Sequence, residues 1–386
     1  GRMPRRLTRR GFLTAAATTA AGLAVPGALV NSVRAAQQPP SPLTYGLSES
    51  ELEFVKPRPA KLDLWGRITW AGYPLRAEPG LNKPVVEFIP VDTVLPLLEI
   101  IHAEGGNPNN TLWYRVENGY LYTSGVQPIK PYRMPEIVTE IDTVIDGEPG
   151  FWGQVIVPYT IPRNEPNGLQ VYDEYFGRQI PVMHYYGSVH RVVEVVLDRE
   201  NNAWYKCLDD KPGRPPVYVL GRHMRKLTEK DFEPINPGAN KEMVVTLSTQ
   251  TIECFEDGKL VFKTLTSSGA GGFPTPTGEH AVVYKQPSRH MYTDPNDPVM
   301  GGDAVGDEDF FDLPGVPFSV FFTTMGHASH GTWWHGDYGR PRSHGCLNVT
   351  PEDAQWLYRW VEPVASYSES AAGSSSNPGT PIIVVD

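Results

Sequence analysis

Apolar and polar residues alternate along this chain in short bursts, seldom longer than a single strand. The stretch 64–101, "LWGRITWAGYPLRAEPGLNKPVVEFIPVDTVLPLLEII", breaks β-branched runs with Gly, Pro and Asn. Residues 110–129, "NTLWYRVENGYLYTSGVQPI", continue the texture, with "ENGY" predicting a turn between two strands. Residues 185–210 repeat a strand, a polar turn and a strand, and their "WYK" echoes the earlier "WYR". From Lys241 the alternation sharpens, and "EDGK" predicts a hairpin. "FSVFFTTM" reads as a buried strand. A helix is expected after it, with Thr350 as N-cap, Pro351 in the first turn and Glu352 and Asp353 at its positive end. Ala354, Leu357, Tyr358 and Val361 then share one face. Residues 285–317 show little periodicity and read as a long functional loop. "SESAAGSSSNPGT" reads as a surface loop before a closing strand, "PIIVVD". The fold class is therefore mainly β, with one helix.

Composition agrees: 37 Gly and 38 Pro favour turns and short strands. A net charge of −10 argues against nucleic acid as a partner. The first 36 residues have a basic start and then an Ala-rich run, the layout of an export signal, and "TRRGFL" resembles the twin-arginine motif. The expected order is a signal (1–36), a Pro-rich linker (37–60), a first β domain (61–130), a second β-rich domain (131–240) and a C-terminal domain (241–386). The expected location is extracytoplasmic, in the cell wall or periplasm. Oligomeric state is open. The chain has 3 cysteines, so they cannot all pair. Cys207 and Cys254 are a disulfide or two buried thiols.

Chemistry concentrates between His327 and Cys346, where His327, His330, His335 and His344 crowd one cysteine. A thiol needs a base to become a nucleophile at neutral pH, and His330 is the best placed. The N–H groups of Gly345 and Cys346 would serve a developing oxyanion, with Ser343 and His344 shaping the elbow. Gly331 would let the backbone approach a substrate. Zinc is a second reading, although H-x-x-H-x4-H is not a ligand spacing and no second cysteine lies near. A structural thiol among hydrogen-bonded histidines is a third.

"HGT" at His330–Thr332 followed by "SHGCLN" at Ser343–Asn348 resembles the L,D-transpeptidase (YkuD-type) catalytic signature. "TSSGAGGFPTPTGEH" and "DAQWLYRWV" resemble the loop and helix that flank it in that family. Residues 61–130 resemble the bacterial SH3-like domain, through "PLRAEP", "WYRV" and "GYLYTSGVQPI". The resemblance implies a β-sandwich-like catalytic domain, with Cys346 as nucleophile and His330 as base, the latter oriented by the Gly331 carbonyl. It implies acyl transfer between peptidoglycan stem peptides through a thioester, giving 3→3 cross-links, with carbapenem-type β-lactams as covalent inhibitors and no cofactor or metal. Stem carboxypeptidase, protein anchoring and wall binding without catalysis are the alternatives. Arg340 and Arg342 are candidates for a stem carboxylate, and Trp333, with Trp334 and His335, for a cleft wall. Tyr284, Ser343 and Asn348 complete the candidate substrate contacts. Tyr284, Arg289, His290 and Met291 are expected where a capping loop begins, its acidic run at 301–312 facing solvent or a substrate amine.

Overall fold

Hairpins between the alternating segments account for most of the structure, a computed structural model that describes residues 62–175, 178–293 and 311–386. The expected signal and linker, and most of the acidic run, lie outside these residues. The first β region has two antiparallel sheets. Strands Val94–Leu97, Leu64–Ile68 and Val126–Ile129 form one; Val85–Ile89, Tyr73–Arg76, Gly119–Tyr122, Asn110–Val116 and Glu99–Asn107 form the other, in that order. Glu117 and Asn118 make the expected turn. Ile68, Leu75, Trp113, Leu121 and Val126 fill a core private to this region.

The next region is built on a five-stranded sheet, ordered Val217–Leu220, Ala203–Leu208, Val189–Leu197, Phe151–Val155, Met224–Lys226, with three two-stranded sheets beside it. Its core is not private. Phe151, Val192 and Tyr205 belong to the same apolar cluster as Phe318, Leu357 and Tyr358 of the C-terminal part. Trp113 and Trp204, the two echoing tryptophans, each sit in a strand beside a buried tyrosine.

Two sheets build the C-terminal part. One runs Lys259–Leu265, Thr251–Glu256, Lys241–Thr246, Pro381–Val385, Gly278–Ala281; the other runs Tyr284–Tyr292, Asp312–Phe321, Ala328–Gly331, Leu347–Val349. The "EDGK" turn has Asp257 at φ 48° and Gly258 at φ 74°, the left-handed pair that a two-residue hairpin requires. The closing strand lies parallel beside Lys241–Thr246, with Met243 opposite Ile382. The helix spans Pro351–Trp360, and the Thr350 hydroxyl accepts the Asp353 N–H at 3.1 Å. Its last carbonyls are capped from outside: Lys285 Nζ donates to Tyr358 O at 2.6 Å and Val361 O at 2.8 Å.

Two expectations are corrected. Both ends of the segment read as a loop from 285 to 317 are strands, Tyr284–Tyr292 and Asp312–Phe321, paired antiparallel, while 294–310 lie outside the described residues. Pro287, Pro314, Gly315 and Pro317 hide the strand pattern, and a register shift between Arg289 and Met291 absorbs the irregularity. Cys207 and Cys254 are both free, buried thiols, so no disulfide joins them.

Candidate active site

His330 and Cys346 stand 16 positions apart in sequence and are brought together by a parallel strand pair. Ser329 pairs with Leu347, His330 with Asn348 and Gly331 with Val349. Cys346 is therefore the residue that enters the second strand, close to the base on the first. Both line one cavity of about 560 Å³. Gly331 is glycine because of packing and not for substrate approach: a Cβ there would lie 2.6 Å from Pro317 Cγ and 2.9 Å from Pro351 Cα. This corrects the sequence expectation for that residue.

The imidazole is oriented by backbone alone. His330 Nδ1 lies 3.2 Å from the Gly331 carbonyl oxygen, to which it donates, so Nε2 carries the lone pair. Burial pushes His330 down to about 4, partly opposed by that carbonyl. Burial likewise pushes the Cys346 thiol up to about 11, partly opposed by the Ala328 N–H. The resting pair is thus a neutral thiol and a neutral imidazole, and not the ion pair that thiol chemistry first suggests. The thiol points toward Gly326 O at 3.8 Å.

The elbow is held by Ser343. Its hydroxyl donates to the Cys346 carbonyl at 2.5 Å and accepts the Gly345 N–H at 3.1 Å. The Gly345 N–H is therefore committed to the Ser343 hydroxyl, which corrects its expected part in an oxyanion site. Ser343 itself borders the cavity, with its hydroxyl turned into the elbow. Gly345 adopts φ 103°, and a Cβ would meet the His327 ring at 2.6 Å, so this position excludes other residues.

The other candidates divide. His344 borders the cavity, its ring 4.6 Å from Phe273 and 5.2 Å from Phe311. Trp333, Trp334, His335 and Asn348 also line it. Asn348 Nδ2 lies 2.9 Å from His335 Nε2, so its amide nitrogen is engaged by the loop while its Oδ1 is buried without a partner. Arg342 lines the cavity, with its guanidinium 5.1 Å from the Trp70 ring. Arg340 does not: its Nε binds the buried Asp337 carboxylate at 2.8 Å, and it is not a lining residue. Tyr284 stacks on Phe321 at 4.2 Å and is not a lining residue either. Burial raises its phenol, partly opposed by the charge of Arg289. His290 sits between Asp209 and Asp312. Among the described residues, no group of three or more His, Cys, Asp or Glu is arranged to hold a metal.

Much of the cavity wall comes from residues that local motifs do not reveal. Arg67, Thr69 and Asp92 belong to the first β region, and Asp173, Tyr185 and Arg214 to the second. No local signal marks them, because they lie between 132 and 279 positions before Cys346.

Two packed sheets thus bring a histidine and a cysteine to one cavity, a pair suited to nucleophilic chemistry. Residues 240–384 match the YkuD family, described as the L,D-transpeptidase catalytic domain, so the chain carries a domain of that family there. No curated protein matches the sequence. Among solved structures, it is similar to an L,D-transpeptidase from Mycobacterium smegmatis (22% identity, 52% of this chain and 90% of that one, TM-score 0.30). It is similar to L,D-transpeptidase 3 of Mycobacterium tuberculosis in complex with a faropenem-derived adduct (22%, 50% and 77%, 0.29). It is similar, too, to a cysteine-to-serine mutant of the Enterococcus faecium L,D-transpeptidase (22%, 38% and 49%, 0.28), of which the chain spans about half the length.

Proposed function

We propose that this protein is an exported L,D-transpeptidase that joins peptidoglycan stem peptides through a thioester on Cys346. The observation that carries the reading is the parallel pairing of Ser329–Gly331 with Leu347–Val349, which sets His330 and Cys346 on one cavity with Nδ1 already committed. Nε2 of His330 takes the thiol proton as Sγ attacks the carbonyl before the terminal D-Ala of a donor tetrapeptide. The Cys346 N–H faces the developing oxyanion. The amide C–N bond breaks, the departing D-Ala amine takes the proton from His330, and a thioester remains. The side-chain amine of a second stem's diamino acid attacks that thioester and gives a proton to His330. The thiol is restored and a 3→3 cross-link is formed.

The same thiol would open the strained ring of a carbapenem, so such compounds are expected to acylate Cys346. Hydrolysis of the thioester by water would make a carboxypeptidase instead. Transfer is favoured because the nucleophile lies in a cavity walled by three parts of the chain, where water is restricted. Mass spectrometry of products from donor tetrapeptide and a diamino acceptor decides. A joined product with loss of D-Ala supports transfer; D-Ala release alone overturns it. Export is tested by whether residues 1–36, fused to a folded reporter, carry it across the membrane, and whether Arg9→Lys with Arg10→Lys stops this.

A further inference from the structure

The loop between the base and the nucleophile is held by its own domain, as where the Gly339 N–H donates to Thr266 O at 2.9 Å, and also from outside it. The Gly336 N–H donates to Ser124 O at 2.8 Å. Asn110 Nδ2 donates to Tyr338 O at 3.1 Å, and Asn109 Nδ2 to Gly339 O at 3.1 Å. All three partners come from the first β region, more than 200 positions earlier in the chain.

At the cavity end of the same loop, one arginine does this work. Arg67 is 2% exposed. Its Nη1 binds Asp92 Oδ1 at 2.6 Å, its Nε donates to Gln127 Oε1 at 2.9 Å, and its Nη2 donates to Trp333 O at 2.5 Å. The guanidinium lies 4.4 Å from the Tyr185 ring, and Gln127 Nε2 donates onward to Tyr186 O at 2.9 Å. One rigid fork thereby fixes all three parts of the chain at one angle, which a flexible single-point donor such as lysine cannot do. The bonded carbonyl belongs to a residue of the site. The Trp333 ring meets Trp334 edge-on at 5.1 Å, and Trp334 lies against the His330 ring at 5.7 Å. Nδ1 of His330 is held by Gly331, and Trp334 is the aromatic neighbour of its ring.

We infer that Arg67 is a positioning residue for His330, acting through Trp333 and Trp334, and that residues 62–130 are thereby a working part of the active site. This rests on the reading of Cys346 and His330 as an acyl-transfer pair. A buried ion costs desolvation that an apolar residue would not, so mere packing gives little reason for an arginine here. Three directed bonds to three partners give one.

The test uses the full chain with Arg67→Met, Arg67→Lys and Asp92→Ala. Acylation of Cys346 by meropenem is followed by mass, and alkylation by iodoacetamide is followed against pH. Arg67→Met should slow acylation of the folded protein by about 10-fold or more and remove the imidazole-assisted shoulder of the alkylation profile between about pH 5 and 9. Arg67→Lys should fall between it and the wild type. Asp92→Ala, which keeps the arginine but frees one arm at a half-exposed partner, should slow acylation about 3-fold even if Arg67→Met does not fold. Wild-type rates and an unchanged pH profile in the folded variants, with only a lower melting temperature, would overturn the inference. Failure of the wild type itself to be acylated would instead overturn the acyl-transfer reading.

Discussion

The Nδ1 atom of His330 is fixed by the carbonyl oxygen of its own neighbour, Gly331, at 3.2 Å, and no carboxylate takes that place. A carbonyl orients the ring without stabilising imidazolium as an anion would. With burial, this keeps His330 near 4 and the Cys346 thiol near 11. The base works only when neutral, so acylation should persist as the medium is acidified and fail as pH falls through about 4. On the alkaline side the ultraviolet thiolate band, measured against Cys346→Ala, should stay absent at neutrality and grow only toward about 11. A full band at pH 7 would mean a preformed ion pair and would sink this account. His330→Ala should cost about 10²–10⁴-fold in acylation rate.

Ser343 closes the elbow with two bonds, one to the Cys346 carbonyl and one from the Gly345 N–H. Ser343→Ala removes both and leaves the turn at Gly345, φ 103°, without its template. Acylation should slow by about 10–100-fold, because nucleophile geometry tolerates little displacement. Stability should fall by only about 1–2 kcal/mol. Denaturant titration alongside the acylation assay separates the two effects. A variant that lost stability and kept its rate would show that the elbow holds its shape without the hydroxyl.

The chemistry was legible where it is local. Cys346, Gly345 and His330 share one short motif, and the Thr350 cap and the Asp257–Gly258 turn are set by neighbouring residues. The Tyr284–Tyr292 and Asp312–Phe321 hairpin was not legible, since its prolines and Gly315 carry the texture of a loop and only cross-strand pairing reveals it. No motif in its own stretch of sequence singles out Arg67. Its burial follows from contacts with Trp333 and Tyr185, which no periodicity encodes. The carboxylate partners of His290 were not legible for the same reason, lying 81 and 22 positions away.

Those partners make a second prediction about the junction. His290 is 1% exposed at its side chain and binds Asp209 at 2.6 Å and Asp312 at 2.8 Å. Lys211 binds Asp312 at 2.5 Å, and Arg214 reaches Asp312 at 3.3 Å and Asp173 at 2.6 Å, while Arg289 binds Asp210 at 2.7 Å. Burial pulls His290 down, but the hydrogen bonds from Asp209 and Asp312 outweigh it and the net shift is upward. Burial pushes Asp209 and Asp312 up, and the bonds from His290 reverse that. A raised histidine stabilises below its unfolded pKa and loses this as pH rises through the folded value. Lowered carboxylates stabilise above theirs and lose this on acidification. The cluster is therefore strongest between about pH 4 and 6.5. His290→Gln should cost about 3 kcal/mol at pH 6 and flatten the stability profile there. Thermal unfolding from pH 4 to 8 checks it, and curves of unchanged shape would refute the assignment.

Asp353 presents the opposite case. It is 1% exposed in the first turn of the helix after Cys346, and the Thr264 hydroxyl donates to its Oδ2 at 2.8 Å. Burial raises it to about 7, against the lowering effect of the Thr264 and Thr350 hydrogen bonds. A carboxyl whose folded value exceeds its unfolded one binds the extra proton in the folded state. Its contribution is whole below about pH 4 and is lost as pH climbs through about 7. Asparagine has the same shape, can accept from Thr264 and never ionises. Asp353→Asn should therefore match the wild type near pH 4 and exceed it at pH 8, by as much as about 4 kcal/mol from the displacement in pKa. Urea midpoints at the two pH values give the comparison. Equal gaps at both would show that this carboxyl stays ionised inside the fold, and that the helix N-terminus, not the apolar surroundings, governs its charge.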